Sequence, residues 1–247
     1  MTDEKENQIA EPATQPGTTP SGRPLRTVKS FVRRQGRLTP SQEKAFELYG
    51  DRYLLTIAGG AISPKTVFGR EAPLILEIGI GNGDTLLHLA ERDVQHDHIG
   101  VEVHRPGVGR VMSEAGKREL TNLRVYGEDA IEVLKQCIPE GALDGVLLFF
   151  PDPWHKKKHN KRRIVQADFA ALILRKLKTG GYLHMATDWE AYALHMMEVM
   201  SAAPGFRNQV GEGQYVARPE GSRPFTRFEK RGERLGHGVW DLIFIKE

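Results

Sequence analysis

From residue 74 onward, short runs of almost continuous apolar residues alternate with longer segments whose apolar positions recur every three or four residues. The short runs predict strands over about 74–79, 98–103, 122–126, 144–150, 181–186 and 239–245. The longer segments predict helices over about 84–92, 107–119, 129–137, 165–178 and 189–202. A first helix is expected over roughly 41–49, because Thr39-Pro40-Ser41 has the composition of a helix start. Strands that are apolar along their length belong in a sheet covered on both faces. The alternation therefore predicts an α/β fold, a doubly wound and mostly parallel sheet of about seven strands with helices on both faces. The polar, glycine-rich stretch from Gly211 to Gly238 predicts no regular element and is long enough to hold a functional loop.

Composition changes this picture mainly at the N-terminus. The 247 residues are 39% hydrophobic and 27% charged, enough for the core of one large domain. Residues 1–22 are rich in Pro, Thr, Gly and Gln and lack aromatics, the signature of a disordered tail. Asp3, Glu4, Glu6 and Glu11 against Lys5 give them a net charge of −3, so the other residues carry +6 within the formal total of +3. Arg23 to Arg37 holds six Lys or Arg residues and no acid, so residues 23–40 read as a basic arm and 41–247 as the folded domain. That balance leans toward anionic partners.

The single cysteine, Cys137, excludes an intrachain disulfide and a thiolate metal cluster. His155 with His159, and His96 with His98, lack an acid or cysteine at a convincing interval, so no metal is expected. No apolar run approaches the ~20 residues of a membrane span, and no signal segment is recognisable. The expectation is a cytoplasmic protein with no membrane or protein partner implied, either monomer or homodimer.

The first chemical signal lies at the end of the first long strand, Leu74-Ile75-Leu76-Glu77-Ile78-Gly79-Ile80-Gly81-Asn82-Gly83-Asp84. Gly79, Gly81 and Gly83 allow a tight turn and close approach of a ligand. The spacing is G-x-G-x-G, not the G-x-G-x-x-G of dinucleotide folds, and Glu77 and Asp84 make the mouth acidic. A pyrophosphate disfavours such a mouth, whereas the sulfonium and ammonium of S-adenosyl-L-methionine favour it. Three further acids follow at strand ends. Glu102 is placed to accept hydrogen bonds from ribose hydroxyls, and Asp129 either lies near an adenine edge or caps the next helix. Asp152 follows the fourth strand. In a parallel sheet all four carboxylates project toward one crevice.

The richest stretch is Asp144 to Arg163. Its apolar strand stops at Pro151-Asp152-Pro153-Trp154, where the prolines stiffen the backbone around one carboxylate and one stacking ring. Lys156, Lys157, Lys158, Lys161, Arg162 and Arg163 follow, and all six are expected to contact phosphates. Asp188, in Thr187-Asp188-Trp189, falls beside the crevice or caps the following helix. Arg223 to Gly232 mixes aromatics with cations, a composition common in nucleic-acid contact.

These residues make the chain resemble the bacterial tRNA (guanine-N7-)-methyltransferase family from about Leu74 to Ile245. The likeness is carried by Leu-Glu-Ile-Gly (76–79), Gly-Val-Glu-Val-His-Arg-Pro-Gly-Val-Gly (100–109), Pro-Asp-Pro-Trp-His-Lys-Lys-Lys-His (151–159) and Lys-Arg-Arg (161–163). It continues through Thr-Asp-Trp-Glu (187–190), Thr-Arg-Phe-Glu (226–229) and Arg-Leu-Gly-His-Gly-Val-Trp-Asp-Leu (234–242). The resemblance implies a Rossmann-like class I fold that uses S-adenosyl-L-methionine to methylate N7 of a guanine in the variable loop of tRNA. By matching positions it implies that Glu77, Glu102 and Asp129 bind the methyl donor and that Asp152 serves the active site and also touches the donor. Lys156, Asp188, Thr226, Arg227, Phe228 and Glu229 are implied to hold the substrate. Rival readings are an adenine amino-methylating enzyme, whose Asp-Pro-Pro-aromatic tetrad Pro151-Asp152-Pro153-Trp154 only approximates, an NAD-dependent dehydrogenase, and a tRNA-binding module without turnover.

Overall fold

The computed structural model describes residues 37–224 and 238–247. The proposed tail at 1–22 and nearly all of the basic arm therefore lie outside the described residues. The chain enters through α1 (Pro40–Tyr53), whose start is fixed by a capping box. Thr39 Oγ1 accepts from the Gln42 amide at 3.3 Å and Gln42 Oε1 accepts from the Thr39 amide at 2.9 Å. The helix is longer than the sequence pattern predicted. After it come β1 (Leu54–Leu55), α2 (Pro64–Phe68), β2 (Leu74–Ile78), α3 (Asp84–Arg92), β3 (Asp97–Val101) and α4 (Arg105–Lys117). The order continues with β4 (Leu123–Tyr126), α5 (Ala130–Gln136), β5 (Leu143–Phe149), α6 (Ala167–Lys176) and β6 (Leu177–Thr187). The last elements are α7 (Glu190–Ser201), β7 (Phe206–Asn208) and β8 (Trp240–Lys246).

Among the described residues the strands form one eight-stranded sheet in the order β1-β4-β3-β2-β5-β6-β8-β7. Pairing is parallel from β1 through β6, and β8 runs antiparallel to both β6 and β7. The doubly wound, mostly parallel sheet expected from the sequence is present, with eight strands in place of about seven. The strands that the pattern missed, β1 and β7, span two and three residues at the two sheet edges. They are too short to carry a periodic signal. β6 also starts earlier than predicted, because Leu177 pairs with Leu143 across a register irregularity. Its next residues, Lys178, Thr179 and Gly180, are exposed and interrupt the apolar run.

Helices cover both faces. One core packs strand residues such as Leu76, Val146 and Leu183 against Phe169, Ile173 and Met196 of α6 and α7. The other packs Leu86, Val108, Val111, Met112 and Tyr53 from α3, α4 and α1. The strand order reverses direction at β2, with β3 on one side and β5 on the other. In open α/β sheets the crevice beyond the carboxyl ends at such a switch point is where ligands bind. Among the described residues no helix is long and apolar enough to cross a membrane.

Candidate active site

Beyond the ends of β2, β3, β4 and β5 lies a cavity of about 780 Å³. Gly79, Gly81, Glu102, Asp129 and Asp152 line it, joined by Glu128 and by the aromatic side chains Phe149, Phe150 and Trp154. The switch point thus gathers five of the seven residues that the sequence reading assigned to the cofactor. Gly83 does not line the wall. It sits at φ 78° at the head of α3, where an added Cβ would stand 2.0 Å from Val111 Cγ2, so close packing against α4 requires a glycine there.

The turn is tied down by its neighbours. Glu102 Oε2 accepts from the Gly81 amide and its Oε1 accepts from the His104 amide, each at 2.9 Å. One carboxylate thereby joins the glycine turn to the loop entering α4. At Gly107, in the first turn of α4, an added Cβ would lie 2.0 Å from the Gly81 carbonyl oxygen. The first turn of α4 and the glycine turn meet with no room for a side chain. Asp129 Oδ1 accepts from the Ile131 amide at 2.9 Å and caps α5. It both caps the helix and lines the cavity, so capping does not remove it from the crevice.

Glu77 takes a different position. It is 4% exposed, lies outside the cavity wall, and its Oε2 has no hydrogen-bond partner among the described residues. Burial pushes its carboxyl up to about 8, and the neighbouring acids Glu102 and Asp84 add to the rise. The acid series is therefore not a set of four equivalent ligands. Three of its members line the cavity and one is buried outside its wall.

The Asp152 loop is held in an unusual backbone. Phe150 and Trp154 have φ of 51° and 47°, a region that costs a non-glycine residue roughly 1–3 kcal/mol. The Phe150 amide donates to the Ala186 carbonyl at 2.8 Å, the guanidinium of Arg162 lies 4.7 Å from the Trp154 ring centroid, and Arg163 Nε donates to the Pro153 carbonyl at 3.0 Å. Asp152 is exposed, and its Oδ1 accepts from the Trp154 amide at 3.0 Å. The expectation that Arg163 contacts phosphate is overturned. It is 6% exposed, packed over the Tyr192 ring at 4.8 Å, and spends its donors on backbone carbonyls. Lys156, Lys157, Lys158 and Lys161 are exposed around the short 3-10 turn Lys157–Arg162.

The cavity wall carries four carboxylates, Glu102, Glu128, Asp129 and Asp152, and no Lys or Arg among the described residues. Such a wall suits a cationic ligand and disfavours a pyrophosphate. The lysines stand outside it, where a polyanion can reach them.

Of the expected substrate residues, Lys156 heads the 3-10 turn and Asp188 is half-buried just past the end of β6. Neither lines the cavity. Asp188 is not the cap of α7, whose N-cap is Trp189. Thr226, Arg227, Phe228 and Glu229 lie outside the described residues. Sequence reasoning missed Glu128, whose Oε2 accepts from the Ile57 amide at 2.7 Å, and it missed the Phe149–Phe150 wall. Glu128 was detectable, since it immediately precedes Asp129 at the same strand end.

A family model described as "Putative methyltransferase" matches residues 71–242. A Pseudomonas putida protein named "tRNA (guanine-N(7)-)-methyltransferase" is 57% identical over 230 residues, covering 92% of this chain and 95% of that one. A protein of the same name from Saccharophagus degradans is 56% identical, covering 90% and 96%. Among solved structures, the 16S rRNA methyltransferase KamB superposes with a TM-score of 0.53 at 13% identity, over 74% of this chain and 92% of that one. A 16S rRNA adenine methyltransferase from Catenulisporales acidiphilia, solved with its cosubstrate SAM, gives 0.52 at 16% identity, over 75% and 92%. Both likenesses concern the fold.

Proposed function

We propose a use for the cavity from one premise: the chain belongs to the tRNA (guanine-N7-)-methyltransferase family. The protein transfers a methyl group from S-adenosyl-L-methionine to N7 of a guanine in tRNA, in the variable loop, as a cytoplasmic enzyme. The observation that carries this reading is the split of charge. The four carboxylates of the wall receive a cationic donor, and the lysines outside receive a polyanion.

When bound, S-adenosyl-L-methionine supplies an electrophilic methyl group on a sulfonium. Guanine N7 carries an in-plane lone pair, so no side chain must remove a proton from it. The protein's contribution is alignment of donor and base and electrostatic stabilisation of the charge that grows on guanine. Asp152 is the candidate for that stabilisation, because it is the carboxylate of the wall that stands on the stiffened loop beside Trp154. Glu102 suits ribose hydroxyls, Asp129 suits the adenine edge, and Gly79 and Gly81 let the donor approach the backbone. Glu77, buried at the end of β2 outside the wall, serves the donor site by supporting the turn. Lys156, Lys157, Lys158 and Lys161 meet phosphates, while Lys156, Asp188 and Thr226 to Glu229 hold the substrate nucleotide.

Incubation of the protein with bulk tRNA and radiolabelled donor tests this reading. Label should enter tRNA, and the donor should raise the melting temperature where NAD does not. Absence of label, or stabilisation by NAD alone, overturns it.

A further inference from the structure

Behind the aromatic wall lies a buried charged network that the proposed chemistry leaves unused. Arg223 and Asp241 are each 2% exposed and form a bidentate ion pair. Nη1 meets Oδ1 at 2.6 Å and Nη2 meets Oδ2 at 2.9 Å. His184 Nε2 lies 2.7 Å from the same Oδ1 and so carries a proton toward it. Burial alone raises the Asp241 carboxyl, but the hydrogen bonds from His184 and Arg223 pull it below its ordinary value, so it is ionised.

The sheet register joins this network to the active site. Phe149 on β5 pairs with Ala186 on β6, and Ala186 pairs with Asp241 on β8. Paired residues face the same way, so Phe149 and Asp241 stand on one face of the sheet. His184 meets the Phe149 ring edge-on at 4.9 Å. The guanidinium of Arg223 lies 4.9 Å from the Phe149 centroid and 5.5 Å from that of Phe150. Phe150 is the residue at φ 51° from which the chain turns into Pro151 and Asp152. In sequence, Arg223 and Asp241 also bracket the segment that contains Thr226 to Glu229.

We propose that Arg223 and Asp241, backed by His184, are positioning residues for methyl transfer. They clamp Phe149 and Phe150 so that Asp152 points into the cavity. A buried ion pair contributes little net stability compared with a well-packed apolar pair. What it supplies is fixed geometry, since a planar guanidinium can satisfy a carboxylate and stack on two rings at once. A lysine in its place keeps the charge and loses both functions.

This inference rests on the activity proposed above, and its test separates the two. Arg223→Lys should lower kcat for tRNA methylation by about tenfold or more, as expected when a reacting group shifts by a fraction of an ångström. Donor Kd should stay within about twofold of wild type, and hydrogen exchange at the Phe150 amide should rise. His184→Gln, which keeps an N–H donor for Asp241, should retain kcat within about threefold. A parallel loss of donor affinity and kcat, or wild-type kcat with unchanged Phe150 exchange, overturns the proposal. Should Arg223→Lys not fold, Asp241→Asn carries the same measurements, and failure of both to fold assigns the network to stability alone and also overturns it. A wild-type protein that methylates no tRNA defeats the activity, while Phe150 exchange in the variant still decides the clamp.

Discussion

Arg163 Nε donates to the Pro153 carbonyl oxygen at 3.0 Å, so a cation inside the basic run holds the loop that presents Asp152. One charged stretch therefore contains two kinds of residue. Arg163 is an internal brace, and Lys156, Lys157, Lys158 and Lys161 form the solvent-facing ridge.

Variants of the two kinds should differ in salt dependence. Replacing the four lysines with glutamine should flatten the slope of log K against log salt for tRNA binding by roughly three to four units. Arg163→Ala should leave that slope unchanged, cost about 1–3 kcal/mol of stability through its orphaned carbonyl partners, and lower turnover. Filter binding across a salt series and denaturant unfolding make the comparison. An equal slope change in both variants contradicts the division.

Gly107→Ala tests the close approach of α4 to the glycine turn, because the new methyl meets the Gly81 carbonyl at 2.0 Å. Backbone must shift, at a cost of about 1–3 kcal/mol, and calorimetric titration should show weakened donor binding. Wild-type stability together with wild-type donor affinity would show that the contact between α4 and the glycine turn has slack.

Asp129 separates capping from ligand binding. Asp129→Asn keeps an oxygen for the Ile131 amide and should leave stability within about 0.5 kcal/mol, whereas Asp129→Ala should lose about 1 kcal/mol. Both variants should bind the donor more weakly if the carboxylate itself faces it. Unimpaired donor binding in both confines Asp129 to capping.

The buried Glu77 carboxyl should make stability fall as pH rises. Its folded-state pKa is raised to about 8 from 4.5, so between those values the folded protein holds a proton that the unfolded chain has released. Stability tied to that proton is fully present below the lower value and is lost as pH rises through the upper one. Glu77→Gln should remove up to about one proton from the slope of unfolding free energy against pH, or roughly 1.4 kcal/mol per unit. Urea unfolding at several pH values between 5 and 8 reads it out, and identical slopes would mean that Glu77 is ionised throughout.

The sequence made legible whatever repeats or sits at a strand end. Val146 to Phe150 reads as a buried strand because no polar residue breaks it, and Glu102, Asp129 and Asp152 read as neighbours because a parallel sheet aligns its strand tips. Glu77 was assigned to the same group, yet it is buried outside the cavity wall. A strand pattern fixes which face a residue takes, but not how far the cavity extends over that face. The Arg223–Asp241 pair left no trace in the pattern, because its partners are 18 positions apart and outside any shared periodic element. Arg163 was misread because the sequence shows its charge, while burial depends on Tyr192 from a different helix.

In the proposed reaction the acidic cavity delivers a methyl group to an in-plane ring nitrogen of guanine, with Asp152 answering the charge that develops there. Digestion of tRNA to nucleosides after reaction with labelled donor tests it most directly. Label should appear in 7-methylguanosine, formed roughly 10²-fold more slowly by Asp152→Ala. Label in an exocyclic amine such as N6-methyladenosine, or undiminished 7-methylguanosine from Asp152→Ala, contradicts it.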